Sequence, residues 1–418
     1  MGRHIVCAAD DSPLGRGSTQ EVRFLSESGA ANSEPTDAVK RQVWAAAAGR
    51  CTFCNELLTE NENLGVAVPI GELAHNVGRR DSSPRGDSDL TDEQRRSRDN
   101  LLLLCRNCHK PADAGGYLHV FTVEKLREFK RQHEERIRFL TEIGADKTAA
   151  VIRVVGAIRG SQPELTYDTV LGATVASGCF PRLLPGSCSA EYEVDLRSMS
   201  SHGSPAYFQA CAREVQGLME RVQDGIRRGV VRRLAVFGFA RIPILVHLGS
   251  LLDDKIPTMI FQRQRTDHGN AWQWPADGGE PARFDVDLVK DGAGPGNVSI
   301  LVNLSGTVRI EELPTEVRES DTIYELKPAV PCIPGVSVIS SLEALANFAE
   351  ASRAFLAEVE AKHGGVDCIS LFAAAPVSAA ITLGRVLTPG VSPTLRVFDR
   401  DDDGVFFSAL EVRRGNNG

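Results

Sequence analysis

Cys51-Thr52-Phe53-Cys54 and Cys105-Arg106-Asn107-Cys108-His109 bracket the stretch on which the reading of this chain turns. Two Cys-x-x-Cys knuckles can gather Cys51, Cys54, Cys105 and Cys108 around one tetrahedral Zn²⁺, a structural site closed by four thiolates. Such an ion clamps two segments far apart in sequence. It would draw together His75, Asn100 and His109, which lie between the knuckles or directly after the second one.

Working outward, the stretch has the parts that phosphodiester hydrolysis needs. A general base must activate water, and a divalent ion must offset charge on the phosphate. His75 ends a segment, 64–77, that reads as one or two strands, and it is the candidate base. Asn100 is placed to fix the loop that follows His75. Leu101 to Leu104 reads as a short buried strand, and the second knuckle should open a helix with Pro111 in its first turn. His109 lies on that helix. Asp113, four residues on, shares its face, so the two could hold one Mg²⁺ or similar ion. Residues 78–98 read as a long loop. Arg79, Arg80 and Arg85, with Arg95, Arg96, Arg98, Arg106 and Lys110, form a local basic array suited to DNA phosphates.

Composition bounds the rest. The chain has 418 residues, 42% hydrophobic and 24% charged, which is globular composition with room for several domains. A net charge of −8 argues against a protein coated for nucleic acid. No apolar run is long enough for a membrane span, and no signal-peptide pattern opens the chain, so a cytoplasmic location is expected. Residues 1–38 read as a flexible leader, and Val39–Ala48 and Thr122 to about Ile143 as helices.

Beyond residue 146 a pattern occurs twice. Phe237 to Gly249 and Phe372 to Gly384 each give a strand, a small-residue turn and a helix at equal spacing. Each is preceded by a long helix and followed by a strand ending in Phe-polar-Arg, Phe261-Gln262-Arg263 and Phe398-Asp399-Arg400. Two related α/β units with mainly parallel strands are expected, with a ligand cleft beyond the carboxyl ends of the strands. Trp272 and Trp274 could stack on a base. Arg241, Arg263, Arg265 and Arg385 could pair with phosphates, and backbone amides of the small-residue turns could approach them.

Ala74-His75, Pro84-Arg85-Gly86-Asp87, Asp99-Asn100, the second knuckle with His109, and Asp113 together resemble the HNH domain of HNH–SAVED effectors. Phe237-x-x-Ala240-x-x-Pro243, Trp272-x-Trp274 and Phe372-Ala-x-Ala375-Pro376 resemble the SAVED domain. The resemblance implies a multidomain α/β protein. A zinc-stapled ββα-metal nuclease would occupy 39–145, and two CARF-like, Rossmann-like halves would occupy about 146–310 and 311–418. It implies a CBASS antiphage effector: a partner cyclase makes a cyclic oligonucleotide, here expected to be a cyclic dinucleotide. The SAVED domain binds it, the homo-oligomer grows beyond a dimer, and the HNH domain cuts double-stranded DNA. Gln262, Pro243, Ala375 and Pro376 join the expected ligand contacts. Many HNH nucleases carry a metal-binding Asp or His where this chain has Ala74, so Asp113, with Asp99 as fallback, takes the second ligand position. Alternatives are a ligand-responsive zinc-containing DNA-binding regulator without nuclease activity, and an RNA-directed nuclease.

Overall fold

A computed structural model describes residues 34–60, 67, 69–158, 165–182, 192–199, 204–265, 269–275, 281–294 and 296–415. The expected leader, 1–38, lies outside the described residues as far as residue 33. The chain forms two units, Met1–Arg138 and Phe139–Gly418.

The amino-terminal unit begins with α1 (Asp37–Ala46), capped by Thr36, whose side chain accepts the Val39 amide. Strand β1 (Glu72–His75) pairs antiparallel with β2 (Leu101–Leu104), His75 opposite Leu101 and Ala74 opposite Leu102. All four leucines of β2 are buried, and they join Val43, Ala47, Leu58, Ala74 and Leu126 in one apolar cluster. The loop between the strands contains a short helix, α2 (Asp92–Arg95), which the sequence reading passed over. Thr91 and Gln94 close a capping box at its start. Helix α3 (Arg106–Ala112) follows the second knuckle, and Pro111 sits near its end rather than in its first turn. Helix α4 (Val123–Glu142) starts at Thr122, whose hydroxyl accepts the Lys125 amide at 3.3 Å.

In the carboxyl-terminal unit the chain runs β3 (Thr148–Val155), α5 (Tyr167–Ala176), β4 (Phe180–Arg182), β5 (Tyr192–Asp195), α6 (Pro205–Arg227), β6 (Leu234–Phe239), α7 (Ile242–Leu251) and β7 (Thr258–Ile260). These strands form a parallel sheet in the order β4-β3-β6-β7, with β5 also beside β3. A second sheet follows from β8 (Phe284–Lys290), β9 (Val298–Asn303), β10 (Thr322–Pro328), β11 (Cys368–Ala374), β12 (Thr394–Arg400) and β13 (Phe406–Val412). Its helices are α8 (Thr315–Ser320), α9 (Leu342–His363) and α10 (Val377–Arg385). The order is β13-β12-β11-β9-β10-β8, parallel inside and antiparallel at both edges. The division of the halves at 310/311 is corrected: β8 and β9 already belong to the second sheet, so that half opens before Phe284.

The repeat is visible in detail. The order α6-β6-α7-β7 recurs as α9-β11-α10-β12. Phe237 stacks on Phe261 with ring centres 4.1 Å apart, and Phe372 stacks on Phe398 at 4.3 Å. Helices α7 and α10 cross where each carries a glycine. A Cβ on Gly249 would run into the Ile381 carbonyl oxygen, and one on Gly384 into the Val246 carbonyl oxygen. The glycines let two backbones touch, and the contact is reciprocal.

Candidate functional site

The four knuckle thiols form the one group of three or more metal-ligating side chains gathered around a point among the described residues. All their sulfurs lie within 4.8 Å of one another. Cys51 opens a turn in which its carbonyl accepts the Asn55 amide at 2.9 Å, and the Thr52 amide donates to Leu103 at 2.8 Å. Cys105 caps α3, so its knuckle is the helix's first turn. A tetrahedral ion bonded to sulfur at about 2.3 Å holds its ligands about 3.8 Å apart. The Cys54 and Cys105 sulfurs are 3.7 Å apart, so the donor set fits such an ion. Burial pushes the Cys108 thiol up and the Cys105 thiol up to about 11. Burial also acts on Cys51, but the backbone amides of Cys54, Cys105 and Phe53 outweigh it and hold that thiol low.

The four thiols bring the turn after α1 to the start of α3. Asn100 spans the turn after His75: its Oδ1 accepts the Val77 amide at 2.8 Å, and its Nδ2 donates to the carbonyls of Val77 and Arg95 at 2.8 and 2.7 Å. His75 is half-buried. Burial, then the nearby Arg79 charge, lowers its pKa, so its imidazole is neutral at pH 7. His109 Nε2 lies 3.2 Å from Asp113 Oδ2 on the same face of α3. Their mutual hydrogen bond raises the His109 pKa against burial. At Asp113, burial pushes the carboxyl up, but bonds from His109 and Arg85 outweigh it and lower its pKa. Arg85 Nη2 donates to both the His75 carbonyl (3.2 Å) and Asp113 Oδ1 (2.6 Å), which ties the base candidate's backbone to the metal-ligand pair.

Arg85 is corrected from a DNA contact to an internal brace. Its side chain is 6% exposed. The guanidinium donates to the carbonyls of Asn76 (2.8 Å), Ala112 (2.6 Å) and His75 (3.2 Å) and pairs with Asp113 at 2.6 Å. Its φ of 54° is a left-handed conformation that costs a non-glycine residue strain. Arg95 of the same basic array is also buried. It donates to the carbonyls of Gly78, Gly86, Ser88 and Leu90 and pairs with Asp81. Arg80 is exposed, and Arg79 is half-buried near Glu34, at 3.8 Å.

Several expected ligand contacts of the carboxyl-terminal unit are corrected in the same way. Trp272 is 1% exposed and sits edge-on to Phe237 and Phe239, which makes it core rather than a stacking platform. Trp274 is half-buried against the same core. Arg241 pairs with Asp399 at 2.8 Å and lies over the Phe208 ring. Gln262 is 4% exposed, and its Oε1 accepts from the Ser378 amide and hydroxyl at 3.1 and 2.8 Å. These two contacts mirror each other. In each half, the polar residue after the stacked phenylalanine reaches the helix N-terminus of the other half. Arg385 lies at the carboxyl end of α10, away from the turn, and pairs with Asp254 at 3.3 Å. Pro243 and Pro376 are buried and begin α7 and α10, while Ala375 is half-buried in its turn. Arg263 and Arg265 remain exposed at the end of β7, Arg263 over the Phe239 ring at 5.7 Å. Sequence reasoning missed Ser378 as the partner of Gln262. It also missed the loop after β9, where the Leu304 and Ser305 amides both donate to the Ala374 carbonyl. The shared offset of the two repeats was the available signal for Ser378.

No helix among the described residues is long and apolar enough to cross a membrane. No curated protein matches the chain. Among solved structures it is similar to a Cap4 SAVED/CARF-domain containing receptor of Acinetobacter baumannii with the cyclic trinucleotide 2'3'3'-cAAA. The identity is 15% and the TM-score 0.41, over 70% of this chain and 61% of that one. The same receptor with 3'3'3'-cAAA gives 15%, a TM-score of 0.42 and the same coverage of 70% and 61%. A Cap4 receptor of Moraxella osloensis gives 13% and 0.36, over 70% and 60%. The chain thus spans 60–61% of the length of these matched structures. Residues 215–412 match the family described as "SMODS-associated and fused to various effectors sensor domain", SAVED. This match lies within the carboxyl-terminal unit, from α6 to the end of β13.

Proposed function

We propose that the chain is a CBASS-type effector: an HNH-type, metal-dependent DNA endonuclease switched on when its SAVED domain binds a cyclic oligonucleotide. The observation that carries the nuclease reading is the Arg85 guanidinium bridging the His75 carbonyl and the Asp113 carboxylate, which in turn bonds His109, beside a four-thiol cluster. The thiols hold structural Zn²⁺. His109 and Asp113 would hold Mg²⁺ or a similar ion, which offsets negative charge on the phosphate and leaving oxygens. His75 takes the proton of the attacking water, a role its lowered pKa supports near neutrality. Asn100 keeps the His75 turn in place. Arg79 and Arg80 contact the DNA backbone.

The SAVED match supports the sensor. Arg263 and Arg265 are its available phosphate partners in this reading. Ligand favours a larger homo-oligomer in which the nuclease units become competent, so activity rises steeply with protein and ligand concentration. Both ring sizes enter the test, because the solved receptor carries cyclic trinucleotides.

Purified protein is incubated with plasmid DNA and Mg²⁺, with and without a panel of cyclic di- and trinucleotides. Cutting is expected with one of them. It should fall by about 10²–10⁴-fold in His75→Ala, the usual contribution of a general base. Ligand-dependent DNA retention without cutting would sink the nuclease and favour the zinc-containing DNA-binding regulator. Equal cutting without ligand would remove the switch.

A further inference from the structure

Glu72 opens β1 and carries no role in the reading above. Its Oε2 lies 2.8 Å from His109 Nδ1, on the side of the ring opposite Asp113. Glu72 stands opposite Leu104, the residue before the second knuckle, so the β1–β2 register sets it beside the start of α3. A neutral imidazole has one N–H. With Nδ1–H donated to Glu72, the proton that Nε2 shares with Asp113, 3.2 Å away, is the one an ion would displace, and Nε2 then offers its lone pair. Metal-bound histidines usually show this arrangement, the second nitrogen held by a carboxylate or carbonyl.

We propose that Glu72 is a positioning residue: it fixes the tautomer and ring plane of His109, leaving Nε2 and the Asp113 carboxylate to share a divalent ion. This rests on the reading of His109 and Asp113 as metal ligands. The Glu72 side chain is 47% exposed, so it holds no place in the core that its loss would empty. The residue two places on, Ala74, is 3% exposed and packs in the apolar cluster, where a carboxylate would lie unpaired. The acid of β1 thus stands at Glu72, where it meets His109 Nδ1, and not at position 74.

The test measures Mn²⁺ binding to the full chain by electron paramagnetic resonance, with zinc content and thermal unfolding followed in parallel. Glu72→Ala is expected to weaken Mn²⁺ binding by about 10–100-fold. Glu72→Gln, whose amide oxygen still accepts from Nδ1–H, should recover most of that loss. His75→Ala should bind Mn²⁺ like the natural chain, and zinc content should stay constant in all three. Unchanged Mn²⁺ affinity in Glu72→Ala would overturn the proposal while leaving the metal pair standing. Mn²⁺ binding that His109→Ala leaves unaltered would overturn the metal pair, and the Glu72 role with it.

Discussion

The two units of this chain fix their geometry by opposite means. The amino-terminal unit has a two-stranded sheet and a small apolar cluster, and it holds its loops with polar staples. Four thiols converge at the knuckles, placed to hold an ion, and the buried guanidiniums of Arg85 and Arg95 gather carbonyls from loops with little regular structure. The carboxyl-terminal unit uses apolar packing across two sheets, close enough that two helix backbones touch at Gly249 and Gly384. A small core cannot by itself place a side chain such as His75, so each staple there is indispensable. A large close-packed core places its elements well but tolerates no added volume.

The largest effect should come from removing the ion proposed at the four thiols. Chelation, or Cys105→Ser, is expected to unfold the amino-terminal unit and leave the carboxyl-terminal transition in place. Structural zinc contributes about 10–16 kcal/mol of apparent binding energy in small zinc peptides at neutral pH, more than a unit of this size can replace. Calorimetry with and without chelator reads this as the loss of one transition. Two intact transitions after metal removal would show that the apolar cluster suffices, and the contrast between the units would fail.

The converse probe is a single methyl group. Gly249→Ala or Gly384→Ala drives a Cβ into the carbonyl oxygen of the opposite helix, where no side chain can move aside. A loss on the order of 5 kcal/mol is expected, in the exceptional range for one substitution. It should be confined to the carboxyl-terminal transition. Gly217→Ala in α6, whose Cβ meets open space, is the control and should be neutral or stabilising by up to about 1 kcal/mol. Equal behaviour of the three variants in urea would show that the helix crossing yields.

Much of this was legible in the sequence because the signals were periodic or stoichiometric. The knuckles show thiols in metal-ligand spacing, the leucine run shows a buried strand, and the repeat offset between Phe237 and Phe372 shows two related halves. The arginines were not legible. Exposure to a phosphate and burial among converging carbonyls use the same guanidinium, and the carbonyls that capture Arg85 come from Asn76 and Ala112, distant in sequence. Trp272 fails for the same reason: a base platform and a core ring share one composition, and the Phe237 edge decides between them. The boundary of the second half was misplaced because β8 is an antiparallel edge strand with no counterpart in the first sheet among the described residues.

The finest comparison lies inside the carboxyl-terminal unit, between its two mirrored clasps. One is charged, Arg241 with Asp399, their side chains 10% and 16% exposed. The other is neutral, Gln262 with Ser378. Arg241→Ala leaves the largely buried Asp399 carboxylate without its ion partner, with the Arg400 amide still donating to it, and is expected to cost about 3 kcal/mol. Gln262→Ala leaves one amide and one hydroxyl unpartnered and should cost about 1–2 kcal/mol. Replacing both members of the charged clasp, Arg241→Met with Asp399→Leu, should recover most of the Arg241→Ala loss, because the penalty belongs to the unpaired charge. Denaturant titration of the three variants ranks them. Equal losses at Arg241 and Gln262, or no recovery in the double variant, would mean that the clasps differ in residue type but not in energetics. The expected ranking would mean that the two clasps share a geometry and differ in what an unpaired partner costs: a desolvated charge in one, two neutral donors in the other.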